Sequence, residues 1–247
     1  MSQDQIRTLD ITDLDRIERF RRAGYGGSVA DALWALGVKD GVFADDFRPL
    51  LQGMQLVGRA LTVRLHALPG ADDLPTHDDP YWEAQGGHPQ KRMMRAVAEQ
   101  PDGTVLVFDC SGDRQTAHFG EMSCQLAYAH GCRGMLLAGN CRDSQYVMKM
   151  DDFPVYTFGT RPQAYGGWLI RDINEPVFLP GHLSHYVTVK PGDFIFGDND
   201  GVQLIPEALV DEVLLRVEAT FEKENREREQ IAAGMPVDEV YKKFGVL

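Results

Sequence analysis

The segment GMLLAGNCRDSQYV, residues 134–147, runs apolar as far as Asn140 and then sets a cation beside an anion, Arg142 and Asp143. A guanidinium is a planar fork that fits a carboxylate. The carboxylate next to it offers hard oxygens suited to Mg2+ or Mn2+. Adjacent side chains do not pair readily in an extended chain, so each is expected to find an outside partner. Two surface charges in a turn, or structural pairs with Asp151 and Lys149, fit the same residues. Upstream, Gly120 precedes a predicted helix start at Glu121. The first backbone N–H groups there, on Glu121, Met122 and Ser123, have no intrahelical partners and attract anions. A substrate carboxylate would dock at that end, although every helix has such an end and water can satisfy it. A third candidate is Glu224. At about 100° per residue it shares a helical face with Val210, Val213, Leu214, Val217, Phe221 and Ile231, whereas Glu218 falls off that stripe. A carboxylate on an apolar face needs a partner. Arg228 at i+4 would supply a structural pair, and a cation in a site on a neighbouring subunit would supply a functional one.

Alternating strands and helices would position these residues. TVLVFD, CRGMLLAGN and FPVYTFG read as buried strands, and QLVGRALTVRLHAL as a strand or a bent pair of strands. EMSCQLAYAHG and KRMMRAVAEQ read as helices between them. Thr12 or Asp10 would cap a helix over ITDLDRIERFRRA, and Ser28 one over VADALWALG. SGDRQTAHFG reads as loop. Residues 69–90, rich in Pro, Gly, Asp and His, read as a long loop insertion. After further strands in VFLPGHLSHYVTVKPGDFIFGDNDGVQLIP, residues 207–233 read as one long helix. The pattern is that of a single α/β domain with a mixed sheet.

Composition narrows the function. A hydrophobic share of 43% with 25% charged residues is that of a soluble globular chain. The net charge of -12 excludes a general electrostatic footprint on nucleic acid and favours cations. No apolar run is long enough for a membrane span. The four cysteines, Cys110, Cys124, Cys132 and Cys141, form no CxxC pair and read as reduced, buried hydrophobes of a cytoplasmic protein.

The run FGEMSCQLAYAHGCRGMLLAGNCRDSQYV resembles the signature region of the RraA-like proteins, a group that includes class II 4-hydroxy-4-methyl-2-oxoglutarate aldolases. SVADALWALG, VGRALTV, DGTVLVFD, FPVYTFGTRP, VTVKPGDFIFGDNDGVQLIP and EKENREREQIAAG match further blocks in the family's order. The resemblance implies a swivelling β/β/α fold assembled as trimers or hexamers, with the active site between subunits. Carried over by position, Arg142 would bind a 2-oxo acid and Asp143 would hold a divalent cation directly. Glu121 would reach the cation through water, as would Glu224 from the neighbouring subunit. Gly120 and the amides of Glu121, Met122 and Ser123 would take the substrate carboxylate. The 69–90 insertion departs from the family pattern. It reads as a specificity lid, a second metal site or a solvated loop, and the spacing of His77 and His88 fits no metal motif.

The implied chemistry is retro-aldol cleavage or oxaloacetate decarboxylation through pyruvate enolate, with Mg2+ or Mn2+ as Lewis acid. The signature region before Lys149 contains no lysine for a Schiff base, and Ser111 and Ser123 lack a paired His–Asp pattern. Two alternatives share the scaffold. One is a non-enzymatic regulator, since some RraA-like members act on RNase E by protein contact. The other is an enzyme for a sugar acid or a dehydration substrate.

Overall fold

The computed structural model describes residues 6–67, 80–84, 87–164 and 167–245. Its centre is a mixed sheet containing four parallel strands: β2 (Leu56–Ala67), β3 (Thr104–Asp109), β5 (Cys132–Cys141) and β6 (Val155–Thr160). With β1 (Arg48–Pro49), β10 (Phe194–Asp198) and β11 (Gly201–Ile205), the order is β1-β6-β5-β3-β2-β10-β11. A short strand β4 (Ala117–Phe119) lies beside β5, and β7 (Trp168–Ile173) pairs with the far half of β2. A hairpin of β8 (Val177–Pro180) and β9 (Tyr186–Val189) packs on one face.

β3 and the middle of β5 read as apolar runs, Val105–Phe108 and Met135–Ala138, because both of their faces are buried. Leu106, Phe108, Met135 and Leu137 point to one side. There they meet Met93, Met94 and Val97 of α4 (Pro89–Ala98) and Cys124 and Ala127 of α5 (Glu121–Ala129). Val105, Val107, Leu136 and Ala138 point the other way, onto Phe43, Phe47 and the β8–β9 hairpin. A third cluster joins β10 and β11 to α1 (Asp13–Ala23), α2 (Gly26–Ala35) and α7 (Val210–Ala232). Ion pairs lace α1 to α7: Arg16 with Asp211 at 2.6 Å and Arg19 with Glu218 at 2.6 Å. The result is a mixed α/β fold with a long C-terminal helix, as expected. Among the described residues, no helix is long and apolar enough to cross a membrane.

Several local expectations change. Thr12 caps α1 in a capping box with Asp15, but Ser28 does not cap α2. That helix starts earlier, at Gly26 after Tyr25, and Ser28 bonds the Tyr25 backbone from inside the first turn. The run SGDRQTAHFG is not all loop, since it contains β4. Within QLVGRALTVRLHAL, Leu56–Ala67 forms one strand. Part of the 69–90 segment is helical: α3 spans Pro80–Ala84, and His88 caps α4. Residues 68–79, with His77, lie outside the described residues. The 207–233 helix begins with a 3-10 turn at Glu207–Leu209, and a helix α8 (Val237–Phe244) follows it.

Candidate active site

Parallel strands carry ligands beyond their carboxyl ends, and β5 ends there at Cys141. The exit is held from both sides. The Arg142 N–H donates to the Phe119 carbonyl of β4 at 2.9 Å, and the Arg161 N–H donates to the Cys141 carbonyl at 2.9 Å. Asp143 then turns the chain in a left-handed conformation, φ 57°, into the one-turn helix α6 (Ser144–Val147). Its carbonyl caps that turn, accepting from Tyr146 and Val147 N–H. Its side chain is left to reach back toward α5, where Oδ2 accepts from the Glu121 N–H at 3.3 Å.

The turn also lets the two neighbours touch. Arg142 Nε lies 3.5 Å from Asp143 Oδ2, and each side chain is 45% exposed. The expectation that adjacent residues cannot pair therefore fails, because the left-handed Asp143 breaks the extended geometry on which it rested. A half-exposed pair of this kind is worth at most about 1 kcal/mol.

Gly120 is the hub. A Cβ at that position would lie 2.7 Å from Asp143 Oδ2 and 3.0 Å from Arg142 Nε, so only glycine admits both side chains against the start of α5. The structure thus brings Gly120, Glu121, Arg142 and Asp143 together. Asp143 already occupies the Glu121 amide, which leaves the N–H groups of Met122 and Ser123 free of intrahelical partners. Ser123 Oγ accepts from Gln90 Nε2 at 2.8 Å, so the return of the 69–90 segment lands on the rim of the site. Exposed apolar side chains surround this rim: Met122 (75%) and Leu126 on α5, Tyr146 on α6 and Met148 just after it.

Glu224 is elsewhere. Tyr25 Oη donates to its Oε1 at 2.6 Å, and Arg228 Nη2 lies 2.5 Å from Oε2, which is the i+4 pair the helical stripe suggested. Tyr25 precedes Gly26, whose N–H donates to Asp198 at the end of β10, level with the start of β2. Arg142 leaves the opposite, carboxyl edge of the sheet. At about 3.3 Å per residue the two ends lie on the order of 30 Å apart, so Glu224 and Arg142 of one copy do not meet. Glu218 is taken by Arg19 and Arg22 of α1.

Sequence reasoning missed a buried network beneath Asn140. The His118 side chain is fully buried, and its Nδ1 accepts from the Asn140 N–H at 3.1 Å. Its Nε2 lies 3.2 Å from Asp113 Oδ2, and Asn140 Nδ2 donates to the Thr116 carbonyl at 3.0 Å. Gly139 makes room for the ring, since a Cβ there would sit 2.5 Å from His118 Nδ1. Burial pulls the His118 pKa below the ordinary histidine value, against the opposing pull of Asp113. All four cysteines are free and buried, as expected. Cys141, immediately before Arg142, takes a hydrogen bond from the Cys124 thiol of α5, which holds its pKa down while that of Cys124 is pushed up.

Comparison with known proteins places the chain. The RraA-like family model, Aldolase/RraA, matches residues 27–204. A protein of Halalkalibacterium halodurans named putative 4-hydroxy-4-methyl-2-oxoglutarate aldolase is 30% identical over 182 residues, covering 73% of this chain and 74% of that one. Protein DlpA of Legionella pneumophila is 26% identical over 85% of this chain, and the match spans only 31% of DlpA. The crystal structure of Streptomyces coelicolor RraAS2, an unusual member of the RNase ES inhibitor RraA family, shares the fold with a TM-score of 0.66. That likeness is at 20% identity over 90% of this chain and 100% of that one. The chain belongs to the RraA-like family.

Proposed function

We propose that the protein is a divalent-cation-dependent lyase that cleaves a carbon–carbon bond of a 4-hydroxy-2-oxo acid, with oxaloacetate decarboxylation as a related activity. The observation that carries this reading is the convergence of Arg142, Asp143 and Glu121 around Gly120 at the carboxyl edge of the sheet. Relatives named as putative aldolases support it.

The residues fit a hard cation that keeps much of its water. Among the described residues, no three His, Cys, Asp or Glu side chains gather as a closed metal cage. Mg2+ needs no such cage, because it is held by one or two carboxylates together with substrate and water. Asp143 Oδ1, free of hydrogen bonds among the described residues, would take the cation directly. Glu121 would reach it through water, and so would Glu224 of a neighbouring copy. When bound, the cation supplies Lewis acidity toward the 2-oxo group.

The chain's own residues do the rest. Arg142 binds the 2-oxo acid and lays fixed positive charge where the enolate oxygen develops. The Met122 and Ser123 amides orient its carboxylate at the positive end of α5. In the retro-aldol direction the C3–C4 bond breaks and the 4-hydroxyl loses its proton to become a carbonyl. The electron pair stays on C3, and a proton relayed through water at Glu121 converts the enolate to pyruvate. Head-to-tail cyclic assembly would carry the Glu224 end of one copy to the Arg142 end of the next, a trimer or pair of trimers, with the exposed Met122, Leu126, Tyr146 and Met148 in the contact.

Pyruvate release from 4-hydroxy-4-methyl-2-oxoglutarate and from oxaloacetate, with and without Mg2+, tests the reading. Turnover that needs Mg2+ and is lost in Arg142→Ala supports it. Absence of metal-dependent turnover, together with a protein partner captured through the same face, would favour a regulator instead.

A further inference from the structure

Three arginines stand along the carboxyl edge of the parallel strands, and their electrostatic surroundings differ. Arg64, in β2 opposite the end of β3, is shared by Asp109 at 3.4 Å and Asp172 at 3.3 Å. Arg142, beyond β5, shares Asp143. Arg161, beyond β6, has no carboxylate partner among the described residues. Its Nη1 donates to the Thr160 carbonyl at 2.8 Å, and its backbone is tied to Cys141 next door. The guanidinium folds back over the paired Asn140 and Gly159: a Cβ on Gly159 would lie 3.6 Å from Asn140 Oδ1 and 3.9 Å from Arg161 Nη1. Asn140 Oδ1 and Arg161 Nη1 thus flank the same short stretch of backbone between the two strand exits.

Neighbouring strands run about 4.8 Å apart, so Arg142 and Arg161 leave the sheet side by side. One of them is already placed to hold the reacting end of a 2-oxo acid. The other is an exposed, uncompensated fork with donors left over, and a fork of that shape pairs best with a second carboxylate.

We infer that Arg161 is a specificity-determining residue that takes the distal carboxylate of a dicarboxylic 2-oxo acid held by Arg142. The inference rests on the lyase reading for the reacting end, and on the Arg142–Arg161 juxtaposition for the distal end.

The test compares two aldol substrates that differ only at the distal group: 4-hydroxy-4-methyl-2-oxoglutarate and its analogue with a methyl in place of that carboxylate. Expected is a ratio of kcat/KM, dicarboxylate over analogue, that falls at least tenfold in Arg161→Gln, through KM rather than kcat, and recovers in part in Arg161→Lys. A ratio within twofold of wild type overturns the inference. A second measurement separates the two claims. With Mg2+ present, 2-oxoglutarate and 2-oxobutyrate are titrated calorimetrically into wild type and Arg161→Gln. Wild type that cleaves neither substrate but prefers 2-oxoglutarate, with the preference erased in Arg161→Gln, would sink the lyase reading and leave the inference standing. Equal affinity of wild type for the two acids would sink the inference itself.

Discussion

Asp143 Oδ2 accepts the backbone N–H of Glu121 at 3.3 Å, across 22 residues of sequence. One carboxylate oxygen thereby ties the exit of β5 to the start of α5 and lies against Arg142, while the other makes no hydrogen bond among the described residues. An anion at a helix start contributes about 0.3–1 kcal/mol. The contact is cheap to lose in stability and costly to lose in geometry.

Gly120→Ala separates those two effects. The added Cβ must displace Asp143 and Arg142, since it would meet them at 2.7 and 3.0 Å. Misplacement of about 1 Å costs on the order of 100-fold in rate, whereas Gly to Ala at this helix start costs within about 1 kcal/mol. Steady-state kinetics and urea unfolding of the same variant should show a large loss in the first and a small one in the second.

Asp143→Asn keeps an acceptor for the Glu121 N–H and removes the charge. Affinity for Mn2+, followed by calorimetry, should weaken at least tenfold, about 1.4 kcal/mol, with the thermal midpoint little changed. Wild-type affinity in this variant would remove Asp143 from the cation site.

Mixing subunits tests where Glu224 works. Arg142→Ala and Glu224→Ala should each be inactive alone. If the site is shared in a head-to-tail ring, random mixed oligomers contain about a quarter intact sites, and activity should return after subunit exchange. A mixture as inactive as its parents would contradict a site shared between copies, and an active Glu224→Ala parent would leave Glu224 to its pairs with Tyr25 and Arg228 alone.

His118 sets a stability limb on the acid side. The unfolded chain protonates it near 6.5, and the folded chain does so only at lower pH, because burial opposes the charge. Between those values the unfolded state binds more protons, so stability is complete above 6.5 and declines as pH falls below it. His118→Asn retains an acceptor toward the Asn140 N–H but does not titrate. Urea midpoints from pH 7.5 to 5.5 should slope in wild type and flatten in the variant.

Much of this was legible in the residues. VLVF and MLLAG are apolar throughout because both faces of a parallel strand are covered, and an abrupt Arg–Asp pair shortly after such a run marks a carboxyl edge. The Glu224–Arg228 pair followed from helical spacing. What was hidden depends on tertiary neighbours. β4 is three residues long and has no period to read. The His118 network needs Gly139 to clear space for a ring contributed from another strand. The contact between Arg142 and Asp143 turns on a single left-handed residue, and aspartate adopts that conformation without a sequence signal as strong as glycine's. Tyr25 reaches Glu224 from 199 residues away.

The central claim is that Arg142 and Asp143 hold a 2-oxo acid and its cation together, and a crystal soaked with Mn2+ and oxalate addresses it most directly. Anomalous scattering from Mn2+ should peak beside Asp143 Oδ1, with oxalate on the ion and the Arg142 guanidinium on the oxalate. A manganese peak remote from Asp143, or oxalate bound without Arg142, would contradict the claim.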